Sequence, residues 1–182
     1  MQTECYEGIH FAILPMRLHD PSKVQEVLSL APKEGSGLQI MDADVVAGYE
    51  HLSTAIKMAI KAFKENRKIA KTIAMEALLY ASAKRQIKEA IESVGPSASG
   101  RCVIIVISPS KKEMESTLEK LKNYGLEDES LVQLTDGKFQ KILSLFEIRE
   151  PEISLSKKLH SSDTSAVQSL VLERVSLSDL NR

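Results

Sequence analysis

Lys57, Lys61 and Lys64 recur at spacings of four and three residues, and Lys68 and Lys71 continue the rhythm. On a helix such positions share one face. A row of amines held that way suits a phosphate backbone, where each cation releases counterions and binding weakens steeply with salt. Arg67, Lys84, Arg85 and Lys88 extend the set, so residues 57–88 carry nine basic side chains against only Glu65 and Glu76, a local charge of +7. The whole 182-residue chain has a net charge of −1, which leaves −8 to the rest. The bland reading is a solvated helix face, the usual setting of lysine. Against it, the segment lacks the acids that i, i+4 pairing would use. Arg85 also falls between two predicted helices, where a guanidinium can fork onto an anion. The pool of candidate phosphate-backbone contacts is Lys57, Lys61, Lys64, Arg67, Lys68, Lys71, Lys84 and Arg85.

Glu76 sets a second question, because it stands beside the apolar face of its predicted helix. A carboxylate left alone there is costly to bury. Arg85, nine residues on, is the expected partner. That ion pair would fix the angle between two helices and make Arg85 structural, leaving anions to its neighbours.

Signatures of catalysis fail one by one. "EGSGLQI" (34–40) has G-x-G without the third glycine, and "DGKF" (136–139) has Gly-Lys without the upstream glycine of a phosphate loop. His10, His19, His51 and His160 show no ligand spacing. Asp42 and Asp44 form a D-x-D pair that could offer oxygens to a divalent ion, but Asp is common ahead of a helix as a cap. No residue set supplies a nucleophile, a base and an oxyanion donor together. The expectation is a non-enzyme with no metal and no cofactor. Cys5 and Cys102 lack any C-x-x-C context and read as small buried hydrophobes of a reducing compartment, expected to be the cytoplasm.

These side chains need a scaffold, and hydrophobic periodicity sketches it. "CYEGIHFAIL" (5–14) and "LQIMDA" (38–43) have strand composition, and "CVIIVI" (102–107), apolar on both faces, reads as a central strand. Asp20 and Pro21 open a short helix, and "EGSG" (34–37) reads as a turn. A long helix is predicted from about Val45 to Asn66, its stripe formed by Leu52, Ala55, Ile56, Ala59 and Phe63, opposite the lysine row. A second covers roughly 68–81. Ser82 is the expected cap of a third, which stops at Gly95–Pro96. Ser110 caps a helix ended by Gly125, another spans about 138–146, Pro151 starts a further one, and the last runs from about Asp163. The composition, 43% hydrophobic and 27% charged, suits a folded domain rather than a disordered one. The expected fold is α+β: one helix-rich domain over residues 1–182, about seven helices on a small mixed or antiparallel three-stranded sheet.

Four stretches in order, "VAGYEHLSTAIKMAI" (46–60), "IAMEALLYASAKRQIKEAIESVG" (73–95), "CVIIVIS" (102–108) and "LVLERVSLSDL" (170–180), resemble the KEOPS subunit that binds that complex's small atypical kinase. Its animal relative is the PRPK-binding protein. The E-x-L-L-Y-x-S-x-x-R-Q-I run is the specific part. The resemblance implies a non-catalytic subunit with an α+β fold that binds the N-terminal lobe of the kinase, which acts as an ATPase. It also implies a place in threonylcarbamoyladenosine formation on tRNA, with the 3′ CCA end of the tRNA held by this subunit. For the kinase, the last helix is the candidate, through Leu170, Val171 and Val175, provided that they are not buried on their own sheet. Aromatics are only 4% of residues, so stacking partners for the CCA end are few; Tyr80 and Tyr49 are the nearest candidates. The competing reading is a protein-interaction module whose basic face docks an acidic partner without RNA. A small enzyme with an unrecognised site is the third.

Overall fold

The first predicted strand is in fact a hairpin. In the computed structural model, which describes residues 1–32 and 35–180, β1 (Gln2–Tyr6) and β2 (Ile9–Leu18) pair antiparallel with Tyr6 opposite Ile9. The turn residues Glu7 (φ 50°) and Gly8 (φ 82°) both take left-handed backbone. A two-residue turn matched to strand twist requires that geometry. Asp20 then caps a 3-10 turn at Pro21–Lys23, which leads into α1 (Val24–Leu28). There follow β3 (Gly37–Asp42), α2 (Tyr49–Lys64), α3 (Ile73–Ala81), α4 (Ile87–Val94) and β4 (Arg101–Ser108). The chain continues with α5 (Lys111–Leu121), β5 (Gly125–Glu127), α6 (Asp136–Leu145), α7 (Glu150–Ser156) and α8 (Asp163–Leu177). The turn expected at 34–37 falls partly on residue 34, outside the described residues.

The class is α+β as expected, with eight α-helices among the described residues and five strands rather than three. The two extra strands come from splitting the N-terminal segment and from a three-residue strand too short to show a period. The strand order is β1–β2–β4–β3, all antiparallel, with β5 on the same side of β2 as β1. Pro15 explains the change of partner along that edge. Its carbonyl accepts from Asp128 N at 3.1 Å, so the N–H it lacks would face the same edge. β1 pairs only as far as Ile13, and β5 takes over at Met16.

Strand alternation sorts the core into two layers. Phe11 and Ile13 of β2 and Val103, Ile105 and Ile107 of β4 face α2, α3 and the C-terminal helices. Ala12, Leu14 and Met16, with Cys102, Ile104 and Val106, face α1 and α5. The double-sided apolar run of β4 is thus explained by a layer on each face, and β4 lies between β2 and β3 as predicted. No helix among the described residues is long and apolar enough to cross a membrane.

Four boundaries differ from the sequence reading. α2 begins at Tyr49, after a 3-10 turn at Ala43–Val45, not at Val45. α3 begins at Ile73, capped by the Thr72 hydroxyl, not at 68. Ser82 closes α3 instead of opening the next helix: its Oγ donates to Leu79 O and accepts from Lys84 N, while Ala83 takes a left-handed φ of 52°. α5 ends before Gly125, which opens β5. One close approach fixes α3 on the sheet: a Cβ at Gly37 would lie 2.5 Å from Ala74 Cβ. Gly37→Ala is therefore expected to cost about 1–3 kcal/mol by overpacking, read as a lower urea midpoint with an unchanged slope.

Candidate functional site

Lys57, Lys61 and Lys64 lie along one side of α2, as their spacing predicts. The structure corrects one premise about them: carboxylate partners are present. Glu4 of β1 meets Lys57 at 2.6 Å, Glu7 of the hairpin turn meets Lys64 at 2.7 Å, and Glu65 lies 4.0 Å from Lys61. Strand pairing brings Glu4 and Glu7 from far back in the chain, where helix spacing could not reveal them. The Lys64 ammonium holds the Glu7 carboxyl below the ordinary glutamate range. Such solvent-exposed pairs are worth only about 0–1 kcal/mol each, so an incoming phosphate can replace the carboxylate.

Beyond Lys64 the chain makes a non-helical wall, residues 65–72. Asn66 (φ 56°) ends α2, with Arg67 N donating to Ala62 O at 2.8 Å. Glu76 then gathers the wall: its Oε2 accepts from Ile69 N at 3.0 Å and from Ala70 N at 2.6 Å, and the side chain is fully buried. The expected Glu76–Arg85 pair is not formed. Because α3 starts at Ile73, Glu76 sits in its first turn, where unpaired amides attract a carboxylate. Arg85 is exposed and makes no ion pair among the described residues. Arg67 donates through Nε and Nη2 to Glu65 and through Nη1 to Asp179 at 2.8 Å. Lys68 Nζ stands 4.5 Å from the centroid of the Phe63 ring.

The end of this wall (Lys71, Thr72) and Ile9 of the hairpin, together with α2, Gly35, Ser36 and Pro109, line a cleft of about 330 Å³. Ile9, Ile60, Phe63 and Ile73 supply apolar walls, and Lys64 and Lys71 supply amines. An apolar slot with a ring and two ammonium groups fits a flat base joined to a phosphate. Phe63 packs against the core, as its place in the apolar stripe of α2 predicts, and its partly exposed ring also lines the cleft. An aromatic ring set between Lys61, Lys64 and Lys68 is the signal that could have marked it.

The remaining candidates divide. Lys84 and Arg85 follow the C-terminus of α3, roughly 13 Å of helix away from Ile73. Lys84 borders a separate recess with Phe146, Arg174 and Leu177. Tyr80 is fully buried and offers no ring for stacking, and its hydroxyl donates to Asp179 at 2.6 Å. Tyr49 lies at the opposite end of α2 from Phe63 and donates to Glu129 at 2.5 Å. Leu170, Val171 and Val175 pack inward at 8%, 0% and 0% exposure, so the face they were expected to offer a partner is spent on the protein's own core. Leu177 and Leu180, at 42% and 78%, are the exposed apolar side chains of the same end.

Asp42 and Asp44 do not form an open D-x-D site. Asp42 accepts from Asp44 N at 2.8 Å, while Asp44 pairs with Lys141 at 2.7 Å and Arg101 at 3.1 Å. Among the described residues no three His, Cys, Asp or Glu side chains gather in metal-binding geometry. His51 is a core residue: Nδ1 accepts from Ala47 N at 3.2 Å and Nε2 lies 2.8 Å from Ala81 O, which fixes the proton on Nε2. Burial pushes its pKa down to about 4. Cys102 is buried as expected, and burial pushes its thiol up to about 12; Cys5 is exposed, on the outer strand.

The family model described as "Kinase binding protein CGI-121" matches residues 19–179. A relative named "Regulatory protein Cgi121", from Methanocaldococcus jannaschii, is 36% identical over 117 residues, covering 63% of this chain and 73% of the relative.

Proposed function

Because the chain belongs to the family of the kinase-binding protein CGI-121, we propose that it is a non-catalytic subunit that docks on a small kinase and recruits tRNA to it. On this reading it serves the KEOPS complex in threonylcarbamoyladenosine formation and grips the single-stranded 3′ CCA end. The observation that supports the RNA role most is the cleft, where Phe63 and three isoleucines adjoin Lys64 and Lys71. Bases stack or insert between apolar walls, and each amine neutralises a phosphate. For the kinase we assign Leu177 and Leu180, exposed at the end of α8, in place of the buried Leu170, Val171 and Val175.

The test is binding of tRNA to the purified protein across a salt series, with intact tRNA compared with tRNA trimmed of its CCA end. Trimming is expected to weaken binding on the order of tenfold or more, given about 1–3 kcal/mol per stacked base. Lys64→Glu with Lys71→Glu is expected to lower affinity and flatten the salt dependence by roughly two phosphate contacts. Salt-independent binding, or indifference to the CCA end, contradicts the reading. A second reading, a protein-interaction module without RNA, draws on the pairing of Lys57 with Glu4 and Lys64 with Glu7. Kinase binding that survives while tRNA is ignored would favour it.

A further inference from the structure

Asp179 lies 112 residues from Arg67 in sequence, yet it reaches the 65–72 wall. Its Oδ1 accepts from Arg67 Nη1 at 2.8 Å and from Tyr80 OH at 2.6 Å. Tyr80 is fully buried within α3, so the carboxylate is held by a group that the core itself fixes. Arg67 is the residue thereby anchored. It falls three positions after Lys64 and four before Lys71, the two amines of the cleft. Its guanidinium is engaged on both edges, by Glu65 and by Asp179.

We infer that Asp179 is a positioning residue for the RNA cleft: through Arg67 it holds the 65–72 wall, and so sets where Lys64 and Lys71 stand. This rests on the RNA-binding reading of the cleft. It also changes the part given to Arg67, which acts as a strut between two carboxylates rather than as a phosphate ligand. The wall has no helical or strand ladder of its own, so its shape depends on such side-chain anchors. Preorganisation of this kind acts on affinity without adding a contact to the ligand.

The experiment uses the full chain and an RNA hairpin that ends in CCA, compared with the same hairpin lacking CCA. Asp179→Ala is expected to weaken binding of the CCA hairpin by roughly fivefold. Binding of the trimmed hairpin and the slope of affinity against salt should be unchanged, because no phosphate contact is lost. Amide exchange of residues 65–72 should quicken in the free protein. Asp179→Asn, which keeps an acceptor for both donors, should restore most of the affinity; it also serves if the alanine variant fails to fold, alongside Tyr80→Phe, which removes one donor and should give a partial loss. If the wild-type protein does not distinguish the two hairpins, the cleft reading fails and this one with it. If it distinguishes them and Asp179→Ala does so equally well, only the positioning role is overturned. A rise in affinity, with a steeper salt slope, would instead mean that Arg67 is a phosphate ligand which Asp179 restrains.

Discussion

Acidification from pH 6.5 to pH 4 is expected to remove about 3 kcal/mol of folding stability through His51 alone. The folded pKa of about 4 lies below the ordinary value of 6.5, so protons bind the unfolded chain more readily than the folded one. The contribution is fully present above pH 6.5 and is lost as pH falls towards 4. The cause is burial of an imidazole whose two nitrogens are already matched, Nδ1 to Ala47 N–H and Nε2 to Ala81 O. A proton added at Nδ1 would leave Ala47 N–H without its acceptor and set a charge in the core beside Phe146. Urea titrations at half-unit pH steps measure the effect. His51→Gln is expected to cost about 1–3 kcal/mol at pH 7.5, since one of the two bonds is lost. The same variant should flatten the pH dependence between 6.5 and 4.5. An equally steep slope in His51→Gln would assign the pH dependence to other groups. Glu7, held low by the Lys64 ammonium, and Glu152, held low by the backbone N–H of Arg149 and then by Arg174, lose their contribution only at lower pH, as they protonate.

Glu76→Ala is the second change expected to have a large effect. It strips two backbone amides of their acceptor and leaves a cavity in a fully buried place. Each unsatisfied buried donor costs about 1–3 kcal/mol, so a loss of about 3 kcal/mol is expected, a large share of the 5–15 kcal/mol that holds a typical domain. Glu76→Gln retains one oxygen acceptor but not its charge, and should cost about half as much. The readout is the urea midpoint, with amide exchange at Ile69 and Ala70 as the local check. Unchanged exchange at those two amides in Glu76→Ala would show that the carboxylate does not hold the wall.

Where the sequence was legible, the signal was local. The double-sided apolar run 102–107 forecast a central strand, and the 4 and 3 spacing of Lys57, Lys61 and Lys64 forecast a shared helix face; both are present. The caps at Asp20 and Ser110 follow the same local chemistry, each accepting from a backbone amide two or three residues on. What could not be read depended on partners distant in the chain. Glu4 and Glu7 reach the lysine row only because β1 folds back on β2, and Asp179 reaches Arg67 only because α8 returns beside α2. The Glu76–Arg85 assignment failed for a subtler reason. It matched charge to charge and overlooked the amides left unpaired between α2 and α3, which were nearer. Leu170, Val171 and Val175 carried no mark to separate an inward stripe from an outward one, since a partner's surface and a core ask for the same residue types. Phe63 fits two patterns at once: it packs against the core, as the stripe forecast, and it lines the cleft, which only the fold reveals.

The central place of β4 also has a cost in time. β2 ends at residue 18 and its partner β4 starts at residue 101, so the middle of the sheet is missing until late in synthesis. At roughly 5–20 residues per second, a ribosome needs on the order of 10 s to cover that interval. Throughout it the nascent β2 exposes an unpaired inner edge carrying Phe11, Ile13 and Leu14, and β3, once made, lacks its strand partner. Unpaired apolar edges are templates for association with neighbouring chains. The vulnerable period in this protein's life is therefore set by the translation of residues 19–100, and pauses there prolong it, whereas pauses after residue 108 fall on a chain that already holds the strand it was waiting for.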